Sequence, residues 1–298
     1  MKRVWLFGDM NQAESRVVAR RGPVPKLDQW YREGKDVHLH VTQLIAKVIQ
    51  ESRIKMPTDV FTNKPWQDMV DKPSAGEARE QSKRIVHGYN YQIGKKKMSL
   101  ILRIEESMAQ LLMEIYGKLF PEIASGYQAW IRDELKRTRA IVTPHPVRFR
   151  KVFWDIINED TLRQAYASYP QIIVASTLNN TLYKCANIFR EDHNEDFKEQ
   201  WIAWYGHENW DRWLRLRDGK SKSPEAILWS GMDIRLNVHD AGGISVPDDS
   251  DVLMWAARTW RRYGEVPIEI TPEDPLTIPI DFKVGPTWGD LHDYKLAP

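Results

Sequence analysis

Three short stretches carry residues that could handle a phosphate ester. In the first, the apolar run Val4 to Phe7 ends at Gly8-Asp9, and a helix bearing Gln12, Glu14 and Arg16 follows. In the second, Arg79, Lys83, His87 and Tyr91 recur every four residues. That spacing advances only about 40° per step, so the four form one winding stripe roughly 18 Å long. Such a stripe would lay cations along a triphosphate and leave an aromatic ring near a base. In the third, Val238-His239-Asp240 stands at the tip of an expected hairpin, so its carboxylate can meet Asp9 only through the fold. Paired aspartates on neighbouring strand ends offer hard oxygen ligands to Mg²⁺. Two such ions stabilise the attacking and leaving oxygens of an in-line phosphoryl transfer.

The elements that must position these residues follow from apolar spacing and from Gly and Pro. A buried strand is expected over Val4 to Phe7, then helices over Gln12 to Arg20, Val37 to Ile54 and Glu77 to Gly94, and a long one over Met98 to Phe120. Gly126 to Arg139 continues the helical block until Thr143-Pro144-His145-Pro146. Two further helices are expected around Leu162 to Ser168 and Ile172 to Phe189, followed by a Trp-rich stretch between Asp196 and Arg217. Arg235 to Val246 reads as a hairpin, Asp251 to Tyr263 as a helix, and Val266 to Val284 as two strand candidates. Strand, helical block, then strands with helices implies an α+β fold with an inserted helical subdomain.

Composition narrows the function classes. The 298 residues carry 43 basic and 41 acidic side chains, a net charge of +2. From Arg79 to Arg103, however, there are seven cations and one anion, Glu80. The mean hydropathy of −0.55 fits a soluble chain. No apolar run approaches the ~18 residues of a membrane span, and the first apolar stretch is too short for a secretory signal, so a cytoplasmic location without membrane association is expected. A lone Cys185 makes no internal disulfide and is too few thiols for structural zinc. Gly88 to Lys95 misses the spacing of a phosphate-binding loop, and His207-Glu208 lacks the second His of a zinc protease.

Asp9-x-x-Gln12-x-Glu14-x-Arg16, followed by Ala19, resembles the first palm motif of the family A DNA polymerases, the bacterial DNA polymerase I type with its phage relatives. Arg79, Lys83, Gly88 and Tyr91 are similar to that family's nucleotide-holding fingers helix, and Asn237-Val238-His239-Asp240 to its second palm motif. Asp36-x-His38, Arg163 with Tyr169-Pro170-Gln171, and Lys283 to Trp288 fall in the family's order, so the resemblance runs from residue 4 to about 292. It implies an antiparallel-sheet palm (residues 1–20 and 146–298) with inserted helical fingers (21–145), a right-hand architecture lacking thumb and exonuclease. By the same resemblance Asp9 and Asp240 ligate two Mg²⁺ ions. Arg79, Lys83 and His38 hold the dNTP triphosphate, with His87 on the same helix. Tyr91 sits at the base, and Glu14 closes the sugar's 2′ side. Gln12, Arg163, Gln171, His239 and Gly88 lie along the primer-template DNA.

This sequence departs from the family at His87, where Phe or Tyr is usual, and at Ala241, where Glu usually follows the hairpin Asp. It also begins close to the first palm motif. The expectation is therefore one chain of a split DNA polymerase, with a second polymerase chain bringing thumb, remaining palm and exonuclease. A catalytically weak DNA-binding or scaffolding subunit is the alternative from another class, and a single-subunit RNA polymerase relative is disfavoured by Glu14. The Trp-rich stretch is read as core packing or a docking surface.

Overall fold

The computed structural model describes residues 3–52, 76–187, 233–248, 250–271 and 273–296. Its elements, in order, begin with β1 (Arg3–Met10), α1 (Ala13–Arg21), α2 (Pro25–Arg32), α3 (Val37–Glu51) and α4 (Gly76–Asn90). Then come α5 (Lys95–Leu102), α6 (Glu106–Leu119), a π-helical turn (Ile123–Gln128), α7 (Ala129–Thr138), β2 (Ala140–Val142), β3 (Arg150–Val152) and α8 (Glu159–Asn187). The chain closes with β4 (Asp233–Val238), β5 (Ala241–Pro247), α9 (Ser250–Gly264), β6 (Ile280–Gly285) and β7 (His292–Tyr294). The fold is α+β, as expected. The chain divides into two compact units: Met1–Asn11, Val174–Pro267 and Thr277–Pro298 form the first, Gln12–Ile173 and Ile268–Leu276 the second.

The first unit is an antiparallel sheet in the order β4-β5-β1-β6-β7, with β1 paired on both sides. Along β1 the side chains alternate as a half-buried strand must, Val4, Leu6 and Met10 turning inward. Helix α9 packs against this sheet and sends the fully buried Trp260 onto it. The indole lies where Gly8 and Gly242 face each other across β1 and β5. A Cβ at Gly8 would come within 2.9 Å of it, and one at Gly242 within 3.1 Å, so both strands need glycine there. Across the sheet, Trp288 packs edge-on against Phe7 at 4.9 Å and Trp5 at 6.0 Å.

The second unit is mainly helical. Its elements are packed closely: a Cβ at Gly126 in the π-helical turn would stand 2.4 Å from the carbonyl oxygen of Gly22, just past α1. Three expectations are corrected here. The long helix over Met98 to Phe120 is two, because Arg103 adopts a left-handed conformation (φ 56°) and Ser99 Oγ donates to the Ile104 carbonyl at 2.6 Å, closing a turn. No helix was expected at Pro25, yet it opens a further one, α2, since proline fits the first turn where its missing N–H costs nothing. The two helices expected either side of Tyr169-Pro170 are one helix of 29 residues. Pro170 cannot donate to the carbonyl of Tyr166, but the buried Tyr127 hydroxyl does so instead. The Trp-rich stretch and the Pro-rich segment 56–74 lie outside the described residues. Among the described residues no helix is long and apolar enough to cross a membrane.

Candidate functional site

Within the first unit, sheet register sets the backbones of the two expected aspartates beside each other. Asp9 pairs with Ala241 across β1 and β5, and the next amide along, Met10 N–H, donates to the Asp240 carbonyl at 3.0 Å. The aspartates thus sit one step off direct register at adjoining strand ends, Asp9 exposed and Asp240 half-exposed. Asp240 follows His239, which turns the hairpin at φ 53°. The outgoing strand is tied to α8 by Asn237 Nδ2 donating to Asn179 Oδ1 at 2.6 Å. A third carboxylate, absent from the sequence reading, lies opposite: Asp281 is the β6 partner of Asp9 and accepts from Asn11 Nδ2 at 2.6 Å. The alternation Ile280-Asp281-Phe282-Lys283, buried then exposed, was the signal that could have found it.

Among the described residues no group of three or more His, Cys, Asp or Glu is arranged to hold a metal ion. The donor set of Asp9 and Asp240, two carboxylates without nitrogen or sulfur ligands, is of the chemistry that Mg²⁺ accepts.

Within the second unit, α4 gathers a polar cluster. Arg79 Nε donates to Asp36 Oδ2 at 2.5 Å, and its Nη1 to Glu80 at 3.1 Å. Asp36 in turn caps α3, its Oδ1 accepting from Leu39 N–H. Glu14 receives the Tyr91 hydroxyl and lies 3.5 Å from His87 Nδ1. The His87 ring is 6.0 Å from Tyr91 and 5.9 Å from His38. Lys83 is exposed on the same helix. The four residues of the stripe, Glu14 and His38 are therefore drawn from α1, α3 and α4, with Tyr91 one residue past the end of α4.

His38 is 1% exposed, and both its ring nitrogens lack partners. Burial, helped by His87, Arg79 and Lys83, holds its pKa well below the ordinary histidine value, so the ring is neutral. Expected on the triphosphate, it instead lies walled off behind the cluster.

The remaining candidates divide between structural contacts and exposed positions. Gln12 Oε1 accepts from Val37 N–H at 3.2 Å, at the start of α3. Arg163 Nε donates to the Gln92 carbonyl at 3.0 Å, just after α4, and Nη1 to Asp160. Gly88 is buried beside Met98, whose methyl would stand 1.8 Å from an added Cβ. Gln171 on α8 and His239 at the hairpin tip are exposed.

No family model and no curated protein matches the sequence. Among solved structures, the chain is similar to the polymerase domain of Pol1 from M. smegmatis, in a complex with DNA primer-template and dNTP. The TM-score is 0.62 at 17% identity, over 96% of this chain and 40% of that one. The fold is polymerase-like. This polymerase-like chain spans well under half the length of that neighbour.

Proposed function

We propose that the chain carries the nucleotidyl-transfer centre of a template-directed DNA polymerase of the family A type, extending a primer 3′-hydroxyl with dNTPs. The observation that carries this reading is the register of β1 and β5, which sets Asp9 and Asp240 at adjoining strand ends of a polymerase-like fold. In this reading the two aspartates hold paired Mg²⁺ ions, which supply electrostatic stabilisation of the attacking and leaving oxygens. Arg79 and Lys83 neutralise the triphosphate, so a phosphate must take Arg79 from Asp36. Tyr91 orients Glu14 through its hydroxyl, and the carboxylate closes the 2′ side of the sugar. His87 takes the sugar-discriminating place beside them. Gln12, Arg163, Gln171, His239 and Gly88 lie along the primer-template.

Mg²⁺-dependent incorporation of dNTPs on a primer-template tests the reading, with Asp240→Asn as the control that must abolish it. Glu14→Ala is expected to raise ribonucleotide incorporation roughly 10-fold or more relative to deoxynucleotides, the size of a lost fit in one pocket. A split arrangement belongs to the same proposal: incorporation then rises when a co-purifying second polymerase-like chain is added. The second reading, a DNA-binding or scaffolding subunit, draws on Ala241, His87 and the Arg79–Asp36 pair. It predicts primer-template binding with no incorporation under any of these conditions.

A further inference from the structure

A cleft of about 660 Å³ opens in the second unit, lined among others by Arg21, Trp130, His145, Arg148, Tyr169 and Glu269. None of these residues belongs to the site described above. The Arg21 guanidinium lies flat on Trp130, 3.8 Å from the ring centroid. Its Nη1 makes one long bond, 3.4 Å, to the Ile270 carbonyl, while its buried Nε has no acceptor. No carboxylate among the described residues lies within ion-pair distance of it, and Glu269 on the cleft wall is already 3.4 Å from His145 Nδ1. Burial accordingly lowers the Arg21 pKa, although Tyr169 and Glu134 favour its charge. The cleft therefore holds a cation short of counter-charge, at a site whose walls are aromatic.

The adjoining hairpin of β2 and β3 continues that chemistry outward. Arg148, Phe149 and Arg150 are consecutive and exposed, with Phe149 at 53% and Trp154 at 85% exposure. Neither Arg148 nor Arg150 has a carboxylate partner among the described residues. Unpaired cations interleaved with exposed flat rings are what a single-stranded nucleic acid requires: charge for each phosphate and a π face for each base. A folded protein partner would more often meet such arginines with its own carboxylates, but it would leave no use for a cleft sized for one nucleotide.

We propose that this cleft and hairpin bind single-stranded nucleic acid, with a phosphate at Arg21 and Arg148 and neighbouring bases stacked on Phe149 and Trp154. The inference rests on the cleft's own chemistry and holds whether or not the chain polymerises, because the test uses neither metal nor dNTP. The full chain is titrated, in chelator, against a fluorescent oligodeoxynucleotide of about 12 nucleotides, read by anisotropy between about 50 and 200 mM salt. Arg148→Gln with Arg150→Gln is expected to weaken binding at least fivefold at low salt. It should also flatten the plot of log affinity against log salt by about 0.7 for each phosphate that is no longer neutralised. Both arginines are exposed, so the melting temperature stays put. Arg148→Lys with Arg150→Lys keeps the slope, and Phe149→Ala with Trp154→Ala weakens binding at least fivefold without changing it. Wild-type affinity and slope in the Gln variant would overturn the proposal. Displacement of the oligonucleotide by excess inorganic phosphate, with the aromatic variants unchanged, would reassign the cleft to a free anion. Equal or tighter binding of blunt duplex, with the same sensitivity to the variants, would also refute it.

Discussion

In the sheet, Asp9 and Asp240 are placed by backbone pairing: β1 and β5 are each paired on both sides, and Gly8 and Gly242 seat Trp260. On α4 and just past its end, by contrast, Arg79, His87 and Tyr91 are placed by other side chains, Asp36 and Glu14, that a ligand would have to displace or share. Backbone register resists substitution one side chain at a time, because the ladder holds when a single side chain is changed. A side-chain network does the opposite: each member's position depends on its neighbours' charge. The backbones at Asp9 and Asp240 are thus fixed by the ladder, whereas Arg79 is held by the carboxylates of Asp36 and Glu80.

The comparison breaks most visibly if the sheet residues prove dispensable. Asp9→Asn and Asp240→Asn should each lower primer extension on the order of 10³-fold, since each removes charge from where it develops during transfer. Far-ultraviolet circular dichroism should be unchanged, because Asp→Asn keeps the size of each side chain and the sheet's ladder is made by the backbone. Residual activity within tenfold of wild type would remove the carboxylates from the chemistry.

The next largest effect should fall on stability. Gly242→Val pushes a branched side chain against Trp260 in a sheet face with no room for it, and should cost about 1 to 3 kcal/mol in urea unfolding. The same substitution at Gly94, which has nothing within 4 Å of an added Cβ, serves as the control. Equal destabilisation at both positions would mean that the indole is not what demands glycine.

How far these two regions were legible in the sequence differs for the same reason. An apolar run ending in Gly8-Asp9, and a turn at His239-Asp240 between alternating strands, are local patterns, and both strands formed where they were read. Asp281 was missed because its importance lies only in being opposite Asp9 across β6, and no spacing along the chain encodes that pairing. On α4 the helix and its stripe were visible at four-residue intervals. Asp36 as the partner of Arg79 was not, nor was the burial of His38, since both depend on how α3 packs against α4. The helix breaks misread at Arg103 and Pro170 share a cause: a side-chain hydroxyl, Ser99 in one case and Tyr127 in the other, decides whether the chain turns or continues.

The buried histidine gives a smaller effect that separates packing from ligand binding. His38 is neutral in the fold, whereas the unfolded chain takes up a proton near pH 6.5. Below that pH the unfolded state binds more protons, so stability is full above about pH 6.5 and falls as acid is added, by up to about 1.4 kcal/mol per pH unit. His38→Leu, which removes two unpartnered nitrogens with little change in volume, should flatten that slope in urea titrations across this window. A variant that tracks the wild-type slope would place the acid sensitivity elsewhere.

The smallest expected effect bears most directly on the contrast between register and network. Arg79 and Asp36 are both about one-third exposed, so their pair is worth roughly 0.2 to 1 kcal/mol. Asp36→Asn keeps an oxygen to cap α3 through Leu39 but gives up the charge that holds Arg79. If Asp36 competes with phosphate for that guanidinium, the KM for dNTP should fall by a few-fold at most while kcat is unchanged. The gain should vanish when Arg79→Gln is added, because the two substitutions act on one interaction. A rise in KM for Asp36→Asn would instead make the carboxylate a support that orients Arg79 toward the nucleotide, and the α4 network would then be as prepared for its ligand as the sheet is.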